Sequence, residues 1–121
     1  MSSQVAIKLL ALILCGQDSP AGSFELVPPE GYRFDRDLAY GQESHVQRLD
    51  ILYPVRMDVP RPAVVLIHGG GWHSGQKDGP KTFGLMCRLV EAGYVALSIG
   101  YRLADEAPFP AAVDDCKRAL G

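Results

Sequence analysis

Residues 62–75 read Pro-Ala-Val-Val-Leu-Ile-His-Gly-Gly-Gly-Trp-His-Ser-Gly, and the prediction of the fold starts from these residues. Ala63 to Ile67 are apolar without a polar break and mostly β-branched, which predicts a strand buried on both faces. The triplet Gly69–Gly71 follows at the carboxyl end of this strand, the edge at which open α/β sheets bind ligands. Because glycine has no Cβ, the backbone N–H groups there can approach a ligand closely.

The glycine triplet allows more than one interpretation. Backbone N–H groups at this edge suit the developing oxyanion of a tetrahedral intermediate, where each donor contributes about 3 kcal/mol in the transition state. A plain glycine-rich turn between a strand and a helix explains the triplet equally well. A phosphate-binding loop is a weaker alternative, because Gly75-Gln76-Lys77 is not followed by the residues of that motif.

The segments before the central strand predict a hairpin. Residues 32–40 alternate in part between apolar and polar side chains, and residues 46–53 form a second such segment that ends at Pro54. The pair is predicted to be antiparallel and to lie at one edge of the sheet. Residues 54–62 contain three prolines and suit a loop that leads into the central strand.

The segments after the glycine triplet predict a strand between two helices. Asp78-Gly79-Pro80 places a capping residue before a proline, which is typical of a helix start. Gly93 ends this helix, and residues 94–99 form the next buried strand, parallel to the first. The apolar face of the helix is predicted to comprise Phe83, Met86, Cys87 and Val90.

A last helix is predicted after Pro108 and Pro110. Asp114 and Asp115 fall in its first turn, where carboxylates favour the positive end of the helix dipole. Its predicted apolar face comprises Val113, Cys116 and Leu120.

The composition describes one globular domain without a strongly charged partner. The chain has 121 residues and a net charge of −2, which gives no reason to expect a nucleic acid or an anionic membrane as partner. Three cysteines, Cys15, Cys87 and Cys116, do not suit a disulfide framework because their number is odd. Buried free thiols are the preferred interpretation for Cys87 and Cys116. No cluster of histidine and cysteine indicates a metal site.

Residues 1–23 have features of a secretory leader. Lys8 precedes an apolar run from Leu9 to Cys15, and Ser19-Pro20-Ala21 is a candidate cleavage site. These features favour a secreted or periplasmic protein. The alternative is an N-terminal strand or helix of a cytoplasmic enzyme, or an arbitrary leader. No stable membrane span is expected, because the run is shorter than the roughly 20 apolar residues that cross a bilayer.

The motif His68-Gly69-Gly70-Gly71-Trp72 resembles the oxyanion-loop signature of α/β-hydrolase esterases and lipases. The chain is most similar to the hormone-sensitive-lipase-like group and to the related feruloyl/acetyl-xylan-esterase-like (BD-FAE-like) branch. Further stretches agree with that branch in order and spacing. They are Tyr40-Gly41, Leu49 to Pro54, Ala92 to Ala96, Tyr101 to Leu103, and Phe109 to Ala112 with Asp115.

The resemblance implies a fold and a reaction. The expected fold is α/β, the amino-terminal half of an α/β-hydrolase over residues 24–121, with an antiparallel edge hairpin leading into a parallel sheet with flanking helices. The implied reaction is hydrolysis of small-molecule or polysaccharide-linked carboxylic esters by a Ser-His-Asp/Glu triad, with no cofactor. Nucleophile, acid and histidine are all expected after Gly121. The alternatives are a non-catalytic remnant or binding module, and a peptidase or amidase of the same superfamily.

The resemblance also assigns roles within the motif. The backbone N–H groups of Gly70 and Gly71 would form the oxyanion hole, while His68 and Gly69 would support the loop rather than act chemically. Trp72 would flank the acyl or alcohol pocket, or simply pack. No residue of this chain is expected to serve as nucleophile, acid or base.

Arg102 and Asp115 are implied by the resemblance to form an ion pair that braces the loop. Gly100 departs from the family pattern, in which an acidic or amide residue often precedes Tyr-Arg. The central strand is also expected to be an open apolar edge, because the nucleophile-bearing strand would normally lie beside it. Poor solubility of the isolated chain is therefore expected.

Four polar residues could be mistaken for catalytic groups. Ser98 lies in Ala-Leu-Ser-Ile-Gly, but this serine falls inside an apolar strand and no helix follows. His73 and Ser74 are adjacent in a loop, which does not give the geometry of attack. His45 is interpreted as a solvated turn residue.

Overall fold

The fold is a mixed five-stranded sheet with two helices. A computed structural model describes residues 10–14, as backbone, and residues 25–121. The strands are β1 (Leu10–Leu14), β2 (Tyr32–Ala39), β3 (Arg48–Pro54), β4 (Ala63–His68) and β5 (Val95–Ile99), and the helices are α1 (Pro80–Glu91) and α2 (Ala111–Ala119). The strand order is β1-β4-β5-β3-β2. This architecture confirms the predicted partial α/β-hydrolase fold.

Strand β4 lies between β1 and β5 and is paired on both sides, as its apolar run predicts. It pairs in parallel with β5, and α1 connects the two strands. One face of β4, with Val64 and Leu66, packs into a core with Phe83, Met86 and Val90 of α1. Burying side chains of this size contributes about 1.5–3 kcal/mol each. This packing fixes the carboxyl end of β4, where the glycine triplet begins.

Helix α1 begins and ends close to the predicted residues, but its amino terminus is not capped as predicted. Pro80 occupies the first turn, and Gly79 is the N-cap without a side-chain hydrogen bond. Asp78 instead forms an ion pair with Arg36 of β2, at 3.2 Å. Gly93, at φ 100°, follows the C-cap residue Ala92.

The predicted edge hairpin is confirmed. Strands β2 and β3 are antiparallel, and β3 also pairs antiparallel with β5. A bulge interrupts β2 between Asp35 and Leu38, so that two residues of β2 lie opposite Asp50 of β3. One of them, Asp37, has a positive φ of 56°.

The expectation that β4 is an open edge is wrong. Strand β1 pairs in parallel with β4, from Leu10 opposite Val64 to Leu14 opposite His68. The ladder on that side of β4 is therefore made by a segment from the amino terminus. Because β1 is now the strand at that edge of the sheet, the expectation of poor solubility no longer rests on an open β4 and stays a prediction.

Helix α2 differs from its prediction in the side chains that it buries. Asp115 is the buried residue of this helix, whereas Leu120 is exposed and does not complete an apolar face. Asp114 lies in the first turn, but Asp115 lies beyond it and has a different partner, described below. The thiols of Cys87 and Cys116 are free, as predicted, but only half-buried.

The predicted leader lies largely outside the described residues. Residues 1–9 and 15–23, with Cys15, belong to that part of the chain, so the leader stays a prediction. In the described part of the chain, neither helix has the length and apolar character that crossing a membrane requires.

Candidate active site

The glycine loop at the end of β4 is folded back on the carbonyl oxygen of Gly70. This oxygen accepts hydrogen bonds from the amides of His73 (3.1 Å) and Ser74 (3.2 Å) and from the Ser74 hydroxyl (3.2 Å). Gly70 has φ 127°, and a Cβ atom at this position would overlap the carbonyl group of Ser74. Only glycine therefore fits here, for reasons of both conformation and space.

The carbonyl and amide groups of the triplet have different environments. While the Gly70 carbonyl is used in the turn, no hydrogen bond from the amide of Gly70 or of Gly71 is found among residues 25–121. Successive backbone amides in a positive-φ turn form a concave donor site that suits anions. Both residues have positive φ, with 63° at Gly71.

Trp72, the residue after the glycine triplet, has a strained backbone conformation. Its φ of 68° is unusual for a residue with a large side chain and costs on the order of 1–2 kcal/mol. The strain is offset by a 2.8 Å hydrogen bond from the Ala104 amide to the Trp72 carbonyl oxygen. The indole is 49% exposed and lies 5.5 Å from the Tyr101 ring, centroid to centroid. The Trp72 side chain therefore lies at the surface beside the loop and is not part of the core.

His68 is fixed by Tyr101, a residue whose role the sequence did not indicate. The two rings are stacked with centroids 4.2 Å apart, and the Tyr101 hydroxyl donates to the His68 carbonyl oxygen at 2.6 Å. Burial raises the pKa of Tyr101 to about 12, so the hydroxyl remains a donor at neutral pH. This contact joins the end of β4 to the segment that follows β5.

The ion pair that the resemblance implied, between Arg102 and Asp115, is present. Asp115 accepts from Nε (3.0 Å), Nη2 (2.8 Å) and the backbone amide (2.9 Å) of Arg102. Burial alone would raise the pKa of Asp115, but these bonds outweigh it and hold the pKa below its usual value. Arg102 also contacts the half-exposed Glu43 at 2.9 Å. Whether this pair braces the glycine loop stays a prediction.

Gln47 completes this group and was not indicated by the sequence. It is fully buried, donates from Nε2 to Asp115 at 2.8 Å, and accepts from the amides of Glu43 (2.8 Å) and Ser44 (3.2 Å). Helix α2 is thereby tied to the turn before β3. A single glutamine at the start of a predicted strand gives no signal from which its burial could be inferred.

A second buried ionic group is formed by Lys77, which lies between the glycine loop and α1. Lys77, which is 9% exposed, places Nζ at 2.9 Å from Asp50 and 2.8 Å from Asp37. Burial opposes the charged form of Lys77, but the hydrogen bonds to the two carboxylates outweigh it and raise the pKa of Lys77. The sequence contained one signal for this group. Asp50 lies in phase with the buried Leu52 along β3, which places a carboxylate on an inward face.

The polar residues that could be mistaken for catalytic groups have other partners. The Ser98 side chain is buried within β5 and donates to the Lys77 carbonyl oxygen. The hydroxyl of Ser74 donates to Gly70, as described above. His73 and His45 are exposed, and His45 lies in a turn. In the described residues, no group of three or more potential ligands suits a metal ion.

Gly100 departs from the family pattern for a spatial reason. A Cβ atom here would lie 2.5 Å from the carbonyl oxygen of Val46, so any larger residue would displace the chain before β3. The Gly100 amide donates to Arg48 at 2.9 Å, and its carbonyl accepts from the Tyr40 hydroxyl. The glycine therefore allows the hairpin to lie close to the end of β5.

The sheet order, the parallel β4–α1–β5 unit and the glycine loop at the carboxyl edge define a partial α/β-hydrolase. A family model described as BD-FAE matches residues 49–121, more than half of the chain. The chain belongs to the BD-FAE family.

Curated relatives agree with this assignment. The chain is 36% identical over 91 residues to the probable carboxylic ester hydrolase LipM of Mycobacterium tuberculosis, covering 74% of this chain and 21% of LipM. It is 48% identical over 61 residues to the carboxylic ester hydrolase LipN of the same organism, covering 49% of this chain and 15% of LipN. The chain therefore spans about a fifth, or less, of the length of these relatives.

Solved structures of esterases share the fold. Inhibited esterase B from Lactobacillus rhamnosis superimposes with a TM-score of 0.64 and 27% identity, over 78% of this chain and 30% of that chain. A truncated carbohydrate esterase from gut microbiota superimposes with a TM-score of 0.65 and 27% identity, over 77% and 34% of the two chains.

Proposed function

We propose that the chain is part of a carboxylic-ester hydrolase, to which it contributes the oxyanion loop. In this proposal the amides of Gly70 and Gly71 bind the negative oxygen of the tetrahedral intermediate. Each well-placed donor of this kind lowers the barrier by about 3 kcal/mol, because it meets charge that develops only in the transition state. The nucleophile, its base and the acid would be supplied by residues outside these 121.

The observation that carries the proposal is the asymmetry of the glycine loop. The carbonyl of Gly70 is used to close the turn, whereas the two successive amides donate to no group among residues 25–121. A plain turn needs only the carbonyl contacts. Two amide donors at the carboxyl edge of a parallel strand are the arrangement that an oxyanion requires.

The surrounding residues support roles in positioning. His68 is stacked on Tyr101, which suits a residue that holds the strand end and not a base that must move protons. The exposed Trp72 indole would form one wall of the acyl or alcohol pocket. Small-molecule or carbohydrate-linked esters are the proposed substrates, supported by relatives named as ester hydrolases and by a fold neighbour named as a carbohydrate esterase.

The test is to express the complete reading frame that contains these residues beside the 121-residue chain alone. Both are assayed with p-nitrophenyl acetate, methyl ferulate and an aminoacyl p-nitroanilide. We expect the complete protein to hydrolyse the esters and the 121-residue chain to be inactive. Replacing the serine of a Gly-x-Ser-x-Gly motif after Gly121 with alanine is expected to abolish turnover, whereas Ser44→Ala, in the turn before β3, is expected to have no effect.

Two outcomes would contradict the proposal. Turnover of the aminoacyl p-nitroanilide without turnover of either ester would indicate a peptidase or amidase. A complete protein that hydrolyses neither class, and whose sequence contains no serine in such a motif, would indicate a binding module or a non-catalytic remnant.

A further inference from the structure

The loop that carries the glycines is anchored a second time, at Lys77. The side chain of Lys77 is buried although its charge favours water, and burying an unpaired ammonium would cost several kcal/mol. Its Nζ atom is paired with Asp50 at 2.9 Å and with Asp37 at 2.8 Å. A buried cation that takes two carboxylates from two different strands fixes the position of its own backbone relative to both.

The bulge in β2 is what makes this anchoring possible. Because two residues of β2 lie opposite Asp50, the Asp37 amide turns towards the sheet and donates to the Asp50 carboxylate at 2.9 Å. The Asp37 carboxylate meets Lys77, and the adjacent Arg36 pairs with Asp78. Two adjacent residues that precede α1, Lys77 and Asp78, are therefore each paired with one of the two adjacent bulge residues of β2.

The main chain at Lys77 is held from the opposite side. The Ser98 hydroxyl donates to the Lys77 carbonyl oxygen, and Ser98 lies directly opposite Asp50 in the register of β3 and β5. Side chain and backbone of Lys77 are therefore fixed by one pair of cross-strand residues. Both Asp50 and Ser98 are 1% exposed, so water does not compete for these contacts.

Close packing couples the position of Lys77 to the conformation of the glycine loop. A Cβ atom at Gly75 would overlap the Gly69 carbonyl and the His68 ring, so the chain returns against the end of β4 before it reaches Lys77. The chain between the turn at Gly70 and Lys77 is short and folded tightly. A displacement of Lys77 therefore moves the turn that orients the amides of Gly70 and Gly71.

We propose that Lys77, held by Asp50, Ser98 and the bulge of β2, is a positioning residue that sets the conformation of the glycine loop. This inference rests on the proposed oxyanion role of Gly70 and Gly71. It assigns a function to a bulge, a buried aspartate and a buried serine that ester hydrolysis does not otherwise use.

The test measures the loop directly in the 121-residue chain, by solvent-exchange NMR of the His73 and Ser74 amides. These amides donate to the Gly70 carbonyl oxygen and therefore report whether the turn is closed. We expect Lys77→Met to accelerate their exchange roughly tenfold or more relative to the amides of β4 and β5. The matched control is Lys81→Met, an exposed lysine near the start of α1 that is expected to leave the ratio unchanged.

Two further variants keep the test decisive when Lys77→Met does not fold. Ser98→Ala removes only the hydrogen bond to the Lys77 carbonyl and is expected to accelerate the same two amides by a smaller factor. Lys77→Arg restores the cation and is expected to bring exchange back towards the parent value. The inference would be overturned if the exchange rate of the two loop amides, relative to that of the strand amides, were unchanged in Lys77→Met. If only Ser98→Ala folds, the same result in that variant would overturn it. This measurement involves no ester turnover. A failure of the present inference can therefore be distinguished from a failure of the proposed esterase function.

Discussion

Arg102, which follows β5, and Lys77, which follows β4, are the cations of two ionic groups, and each is bound differently. Arg102 uses Nε and Nη2 on the two oxygens of a single carboxylate, that of Asp115. Lys77 uses one nitrogen atom on two carboxylates that belong to different strands. The planar guanidinium fixes direction as well as distance, whereas the ammonium acts as a point charge.

The two groups therefore perform different mechanical tasks. The fork of Arg102 joins helix α2 to the segment after β5 in one orientation, and Gln47 adds a further buried contact to the same carboxylate. Lys77 connects the loop to both β2 and β3 through its Nζ atom. We infer that the Arg102 group chiefly determines stability and the Lys77 group chiefly determines local order.

The largest expected effect is that of Asp115→Ala. Removing this fully buried carboxylate leaves Nε and Nη2 of Arg102 and the Gln47 side-chain amide without their acceptor, which costs about 3–5 kcal/mol of the free energy of unfolding. Urea denaturation at neutral pH measures the change. The control is Glu43→Ala, which removes the other partner of Arg102, is 51% exposed and is expected to cost less than about 1 kcal/mol. Equal losses would show that burial does not distinguish the two contacts.

A smaller effect is expected for Asp50→Asn. The amide oxygen can still accept from the Asp37 amide, and Lys77 keeps its contact with Asp37, so only one charged contact is lost. We expect a loss of about 1.5–3 kcal/mol in urea denaturation. Asp78→Asn, which disrupts only the exposed pair with Arg36, is expected to cost less than about 1 kcal/mol. A loss for Asp50→Asn as large as that for Asp115→Ala would contradict the division of tasks between the two groups.

The smallest effect is a difference in acid stability. Because the pKa of Asp115 is lowered in the folded chain from its usual 3.8, Asp115 stabilises the fold above that pH. This contribution is lost as the pH falls below about 3.8 and the carboxylate becomes protonated. The deficit of Asp115→Asn relative to the parent, measured by urea denaturation at a series of pH values, should therefore shrink on acidification. If the free energies of unfolding of the parent and of Asp115→Asn changed in parallel with pH, the pKa of Asp115 would not be lowered by folding.

Strands β2 to β5 and both helices could be predicted from the sequence because their signals are local and repeated, whereas the pairing of β1 with β4 is a distant contact and was missed. The signals are the apolar run of β4, the helical spacing of Phe83, Met86 and Val90, and a proline at the start of each helix. Each of them can be recognised from a few consecutive residues. Strand boundaries agree with the structure to within two residues, since Val95–Ile99 and Arg48–Pro54 were predicted as 94–99 and 46–53.

The supports of the loop could be predicted only in part. The pair of Arg102 and Asp115 followed from family resemblance, but Gln47 lies immediately before β3 and Lys77 lies in a loop, and burial outside a regular element leaves no periodic signal. Their partners come from distant parts of the chain, and a single sequence does not indicate which turn will fold over which strand. The bulge of β2 was missed for a related reason, because an extra residue in a strand is visible only in its pairing.

The placement of β1 beside β4 has a consequence for the order in which the chain folds. Strand β1 is synthesised before β4, but the ladder partner of Leu10 is Val64 and that of Leu14 is His68, which are synthesised much later. The segment between them must be closed as a long loop before the pairing gains any hydrogen bond. During that interval β4 and β5 can join through the local α1 connection, so β1 is expected to be a late addition to a sheet already formed. Strand β1 would then join the sheet after strands that are synthesised later than it.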